Sequence, residues 1–202
     1  MGKVILITGA SSGIGKDAAL SLIKQGHIVY GAARRISKMK DIVEAGGHSI
    51  KMDILNNEDV DKAVDRVISE HQRIDVLVNN AGYGLWGAVE TISIDEAKRQ
   101  FDVNIFGLAY LTKKVIPIMR NQKSGKIINM SSMGGKVYTP FGAWYHATKY
   151  ALEGWSDCLR IELKSFGIDV ILIEPGVIKT EFQDVMMDST VERSIGTPYE
   201  KK

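Results

Sequence analysis

Val4-Ile5-Leu6-Ile7-Thr8-Gly9-Ala10-Ser11-Ser12-Gly13-Ile14-Gly15 is the stretch that decides how this chain folds. Its four leading apolar residues read as a strand buried on both faces. Glycines 9, 13 and 15 follow at once, and Ile14, Ala18, Leu22 and Ile23 then repeat at helical spacing. In a strand, glycine-rich turn and helix, the backbone can turn tightly and approach a pyrophosphate, while the helix start offers free N–H groups. The spacing Gly-x-x-x-Gly-x-Gly differs from the commoner Gly-x-Gly-x-x-Gly, and on the loop alone a plain tight turn remains the alternative.

Outward from that loop the pattern repeats. Gly26 ends the first helix, and His27 to Ala33 reads as a second strand with Arg34-Arg35 directly behind it. Ser49 to Met52 is a third strand, ending at Asp53 and Ile54, and Asn56 is placed to cap a helix that runs to His71. Asp75 to Val78 is a fourth, followed by Asn79-Asn80-Ala81-Gly82. One long helical pattern runs from about Ile94 to Met119 and carries Asn104 beside its apolar stripe. Gly125 to Met130 is the fifth strand, ending at Ser131-Ser132, and a second long helix carries Tyr145 and runs to about Phe166. Asp169 to Ile173 is the sixth, followed by Glu174-Pro175-Gly176. Regular alternation of strand and helix predicts an α/β fold, a doubly wound parallel sheet in the order 3-2-1-4-5-6.

Composition narrows the function classes. The 202 residues suit a single domain with a substantial core. A net charge of +2, with no long basic run, argues against a nucleic-acid surface. No apolar run approaches the ~20 residues that span a bilayer, so no membrane partner is expected. Cys158 is the only cysteine, which excludes an intrachain disulfide and a cysteine metal cluster; no metal is expected, and a cytoplasmic setting fits. His27, His48 and His71 are scattered at element ends and read as solvated. His146 reads as pointing away from the face of Tyr145, and Cys158 as a packed small residue.

Three groups carry chemistry. Tyr145 and Lys149, four apart on a helix, share one face. A free tyrosine titrates near pH ~10, and a close cation should lower that by roughly 1–3 units, which would fit the pair for acid/base work near neutrality. The alternative is a surface helix pair. Arg34 and Arg35 stand where a doubly wound fold meets the adenosine ribose; a guanidinium suits a 2′-phosphate and a carboxylate would repel it, so NADP(H) is favoured over NAD(H). Two solvated loop arginines are the alternative. Asn104, by spacing alone, reads as a satisfied core amide.

Taken together and in order, Thr8-Gly-x-x-x-Gly-x-Gly, Asp53, Asn79-Asn80-Ala81-Gly82, Asn104, Ser132, Tyr145-x-x-x-Lys149 and Pro175-Gly176 make the chain resemble the short-chain dehydrogenase/reductase family, a Rossmann-type fold, from Lys3 to about Phe182. Within it the chain resembles the NADP-preferring carbonyl reductases and hydroxysteroid dehydrogenases. That resemblance implies catalytic roles for Tyr145, Lys149, Ser132 and Asn104. Tyr145 would exchange the proton, Lys149 would hold the nicotinamide ribose, Ser132 would bind the substrate oxygen (Ser131 is the adjacent alternative), and Asn104 would hold a water that connects Lys149 to solvent. It also implies a dinucleotide held by Gly9, Ser11, Ser12, Gly13, Ile14, Gly15, Arg34, Arg35, Asp53, Ile54, Asn80, Ala81, Gly82, Pro175, Gly176, Val177, Ile178 and Thr180, together with Tyr145 and Lys149.

The implied activity is an NADP-dependent oxidoreductase that acts on a carbonyl or secondary alcohol. A dinucleotide-binding sensor or scaffold is the competing class, and a full catalytic set speaks against it. The extended epimerase branch uses Gly-x-x-Gly-x-x-Gly, which Gly9, Gly13 and Gly15 do not fit. Tyr83, Leu85, Trp86, Val137, Tyr138, Phe141, Trp144, Val177, Phe182, Met186 and Met187 would face a hydrophobic small-molecule substrate. The resemblance implies a homodimer through helices 94–119 and 144–166. Family members continue into a substrate segment and a seventh strand; here 177–202 reads as an incomplete tail, with the seventh strand missing and Val170 to Ile173 at an edge, the pattern of a truncated chain.

Overall fold

The computed structural model describes residues 2–178, 190–191 and 193–200. In chain order it holds β1 (Val4–Thr8), α1 (Gly13–Lys24), β2 (Ile28–Ala33), α2 (Lys40–Glu44), β3 (His48–Lys51), α3 (Asn57–His71), β4 (Val76–Asn79), α4 (Ile94–Phe101), α5 (Leu108–Gln122), β5 (Gly125–Met130), α6 (Ala143–Leu163) and β6 (Ile168–Ile173). Among the described residues the sheet has six strands, all parallel, in the order β3-β2-β1-β4-β5-β6. That is the order the strand–helix alternation predicts.

Side-chain alternation along β1 explains the two layers. Val4 and Leu6 point to one face and join Val60, Val64, Val67, Leu111, Val115 and Leu159, so that face is covered by α3, α5 and α6. Ile5 and Ile7 point to the other and meet Ala19 of α1 and Ile42 of α2. Every residue of β1 is buried, as its unbroken apolar run requires. α1 and α2 cover only the β1–β3 side of that second face. At the opposite edge Ile171 is half-buried and Ile173 is 42% exposed among the described residues.

Two local features depart from the expected pattern. The long helix is interrupted: α4 starts at a capping box formed by Ser93 and Glu96, and a widened π turn at Asp102–Gly107 separates it from α5. Gly107 in that turn lies so close to the loop after β3 that an added Cβ would stand 2.8 Å from the Ile54 carbonyl oxygen. A short helical segment, Ile36–Met39 and then α2, fills the connection between β2 and β3, where no helix is expected. Asn56 caps α3 as its position suggests, its side-chain oxygen accepting from the amides of Glu58 and Asp59 at 2.9 and 3.2 Å.

Two of the histidines form no scatter. Parallel pairing sets Tyr30 opposite His48, their rings stack 4.4 Å apart, and His71 packs edge-on at 5.7 Å from Tyr30. Glu70 completes the group by accepting from the Tyr30 hydroxyl and, at 2.9 Å, from Arg66. The reading of His48 and His71 as solvated ends is corrected by this cross-strand register. Cys158, expected to be packed, is exposed on the outer side of α6. Among the described residues no helix is long and apolar enough to cross a membrane.

Candidate active site

All six strands point their C-terminal ends at one cleft, the position a doubly wound sheet gives its ligand. The cleft has a volume of about 830 Å³ and runs from the glycine loop past Arg34, Asp53 and Ile54 to Tyr145 and Lys149.

Its glycine end is held by the first residue of the loop motif, to which sequence reading gives no role of its own. Thr8 Oγ1 accepts the amides of Asn80 and Ala81 at 3.0 and 2.9 Å, pinning the end of β1 to the segment after β4. The Asn80 side-chain amide donates to the Thr8 carbonyl at 2.9 Å, so this asparagine braces the loop while it also lines the cleft. Gly9 and Gly13 have φ of +67° and +53°, a region that side chains strain. At Gly15 an added Cβ would stand 2.3 Å from Asn80 Nδ2 and 2.8 Å from the Gly9 carbonyl oxygen, so Gly15 sits behind the loop and permits its close packing. Gly15→Ala should therefore cost about 1–3 kcal/mol of stability, the usual overpacking penalty. Urea denaturation checks this; an unchanged midpoint would show that the loop yields freely. Ser12 stands at the N-cap of α1 but its side chain bonds none of the helix's amides, leaving the first-turn amides to face the cleft. Ser11 and Ser12 instead accept from the Arg35 guanidinium at 3.3 and 3.0 Å, while Arg34 lines the cleft.

At the other end, Ser132, Tyr145 and Lys149 come together. α6 places Tyr145 and Lys149 one turn apart, both buried. Ser132 follows β5, and its hydroxyl hydrogen-bonds the Tyr145 phenol, which opposes the rise that burial imposes on that phenol's pKa. Lys149 was expected to depress the tyrosine directly. Instead its ammonium lies 5.7 Å from the Tyr145 ring centroid and donates to the Met130 carbonyl at 2.7 Å. Burial is also the larger force on Lys149, bringing it down to about 8 against an opposing pull from Glu153.

Asn104 sits in the π turn with its side chain fully engaged. Nδ2 donates to the Tyr83 carbonyl at 3.0 Å and to Thr148 Oγ1 at 3.1 Å, and Oδ1 accepts the Tyr83 amide at 3.1 Å. It is the satisfied core amide that its spacing suggests, and it ties the segment after β4 to α6. A second buried amide chain lies behind it: Asn79 donates to Thr112 and Asn129, and Asn129 donates to Ser156, all within 2.9 Å.

Pro175, Gly176, Val177 and Ile178 line the cleft, with Ala81 and Gly82 opposite. Thr180, Phe182, Met186 and Met187 fall outside the described residues. Of the remaining apolar candidates, Tyr83, Leu85, Trp86 and Val137 line the cleft, Tyr138 is 83% exposed, Phe141 packs edge-on against Tyr199, and Trp144 joins a small cluster with Leu85 and Ile92.

His146 was placed away from the site and in fact belongs to its wall. Its ring packs edge-on against Trp86 and Tyr145 at 5.7 and 5.9 Å. Nε2 accepts the Thr139 amide at 3.0 Å, which leaves the ring hydrogen on Nδ1, 2.9 Å from the Gly134 carbonyl oxygen. Neighbours on a helix do diverge, but the loop 133–142 folds back over α6 and meets both rings. Met52, Val103, Met133, Arg99 and Arg193 also line the cleft without a motif to mark them.

A profile of the short chain dehydrogenase family matches residues 3–190. The chain is 44% identical over 186 residues to a 3-ketodihydrosphingosine reductase of Bacteroides thetaiotaomicron, covering 90% of this chain and 66% of that protein. It thus spans just under two thirds of that relative's length. A solved 3-ketoacyl-(acyl-carrier-protein) reductase from Brucella melitensis, complexed with NADH, superposes with a TM-score of 0.89 at 33% identity, over 93% of this chain and 81% of that one. ElxO with NADP bound gives 0.85 at 31% identity, over 94% of this chain and 79% of that one. Such likeness, running from the first strand to beyond the sixth, makes the chain a member of the short chain dehydrogenase family of oxidoreductases.

Proposed function

We propose that the protein transfers hydride between NADP(H), in preference to NAD(H), and a carbonyl or secondary alcohol of a hydrophobic small molecule. The observation that carries this reading is the Ser132–Tyr145 hydrogen bond, with the Lys149 ammonium one turn along, on the floor of a cleft continuous with the glycine loop.

The chain's residues fit a bound dinucleotide. First-turn amides of α1 without a side-chain cap and the positive-φ glycines of its loop suit a pyrophosphate. Met52, Asp53, Ile54 and Val103 form a slot for a flat base, and Pro175 to Ile178 close the opposite end. No carboxylate stands at the tip of β2, where Arg34 faces the cleft and Arg35 is bonded to Ser11 and Ser12. The bound cofactor supplies the hydride and its acceptor carbon.

The rest falls to the protein. Tyr145 delivers its phenolic hydrogen to the substrate oxygen as negative charge grows there, and Ser132 hydrogen-bonds the same oxygen. Lys149 holds a positive charge beneath the tyrosine and presents its remaining N–H donors to the cleft. Because burial lowers Lys149 to about 8, turnover should fall as pH rises through that region and the ammonium is lost. A pH–rate profile flat into the alkaline range would deny the lysine this role.

The apolar wall of Leu85, Trp86, Met133 and Val137 supports a hydrophobic substrate. A reducing, cytoplasmic setting suits the exposed unpaired thiol of Cys158. A homodimer through helices 94–119 and 144–166 is supported by Phe106, in the π turn, and Ile161, on α6, which are 62% and 79% exposed, whereas Leu108 and Leu159 are buried against the chain's own core. Light scattering at micromolar concentration should give twice the chain mass; a monomer counts against the dimer. Steady-state oxidation of NADPH across a panel of carbonyl compounds tests the activity itself, and failure with every class would leave the scaffold reading.

A further inference from the structure

Tyr145, Lys149 and Glu153 recur every four residues, so one face of α6 carries a carboxylate directly below the catalytic pair. Glu153 is 6% exposed. A carboxylate so deep in a wall is costly unless a cation meets it. Lys136, on the loop that follows Ser132, brings its Nζ to 2.8 Å from Glu153 Oε2 and to 3.6 Å from Glu174 Oε1, just before Pro175. The fit is tight: a Cβ on Gly135 would stand 2.9 Å from Glu153 Cγ and 3.1 Å from both Glu153 Oε1 and Ser131 Oγ. Lys149 stands one helical turn before Glu153 on the same helix, also buried, and the two charges attract.

We propose that Glu153 is a positioning residue for the chemistry at Tyr145. Its buried carboxylate is the counter-charge of the Lys149 ammonium and, through Lys136, ties the Ser132 loop and the Pro175 segment to the catalytic helix. The inference rests on the proposed oxidoreductase reading for its purpose, but the Lys136–Glu153 ion pair and the one-turn spacing of the buried Lys149 and Glu153 stand on their own geometry. Among the described residues the titratable and charged groups that bear on Lys149 are Tyr145 and Glu153 on α6, with Lys136 on the loop and Glu174 after β6 beyond Glu153. Its hydrogen-bond acceptor, the Met130 carbonyl, is uncharged.

The test reads the titration midpoint of Lys149 directly, from isotope-labelled lysine by NMR, with the resonance assigned by its loss in Lys149→Met. In Glu153→Gln the midpoint should fall by about one pH unit below that of the wild type, because an opposite charge at close range is gone while the burial remains. A damaged or hydrated site would move it the other way, toward the ordinary lysine value of 10.5. A fall therefore cannot come from loss of structure. The alkaline limb of the rate should move in the same direction, and Glu153→Asp should restore most of both.

Lys136→Met keeps the carboxylate, so its midpoint should not fall. Its loosened loop should instead lower kcat/KM roughly tenfold, as misplacement of a bound substrate does. A midpoint in Glu153→Gln at or above that of the wild type overturns the proposal. Should that variant fail to fold, an unchanged kcat/KM in Lys136→Met overturns the tethering and a fallen midpoint there overturns the counter-charge. A fallen midpoint in Glu153→Gln from a chain that turns over no carbonyl would leave the pairing standing and remove the oxidoreductase reading alone.

Discussion

Tyr145→Phe should lower kcat by roughly 10²–10⁴ while NADPH still binds. The substitution keeps the ring and so keeps its contact with Trp86, whose centroid lies 4.7 Å away. It removes the one hydroxyl that is aligned by Ser132 and set above the Lys149 ammonium. The phenylalanine is a little more apolar in a site where the tyrosine is only 6% exposed, so the fold should be no less stable. Single-turnover kinetics with saturating NADPH isolates the chemical step, and fluorescence titration reports the binding. Near-normal turnover of any substrate the wild type accepts would remove Tyr145 from the mechanism.

Arg34→Ala should weaken NADPH by roughly 10–100-fold and NADH far less. A charge-assisted contact to a phosphate contributes ~1.5–3 kcal/mol, and NADH has no 2′-phosphate to lose it. Arg34 is exposed at the tip of β2 and lines the cleft, so no packing is lost with it. Arg35 is engaged with Ser11 and Ser12, and its removal should disturb the glycine loop and weaken both cofactors together. Parallel titrations with the two cofactors separate these outcomes. Equal losses for Arg34→Ala would mean that it does not read the ribose phosphate.

Much of this was legible in the sequence because the strands of a parallel sheet advertise themselves. Val4–Thr8 and Val76–Asn79 are buried along their whole length and so are apolar without alternation. The glycine loop, Asn56 and the Tyr145–Lys149 pair are local patterns, set by neighbours within a few residues. What escaped was of two kinds. Interruptions that keep the apolar period leave no mark, so the π turn at Asp102–Gly107 reads as continuous helix. Contacts between distant segments are equally silent. Thr8 meets Asn80 and Ala81 across more than 70 residues, and Asn79, Asn129 and Ser156 find one another only when the sheet and α6 are assembled. His146 was misread because the geometry of a single helix says nothing of the loop that folds over it. Glu153 escaped for the same reason: its partner is Lys136 on that loop.

The most direct test of hydride transfer at this cleft is to supply NADPH deuterated on its reactive carbon, together with a hydrophobic ketone, and to examine the alcohol by mass spectrometry. The account predicts deuterium at the carbinol carbon of the product with the wild-type chain, and almost none from Tyr145→Phe over the same interval. Tight NADPH binding with no label transferred to any carbonyl compound would contradict it.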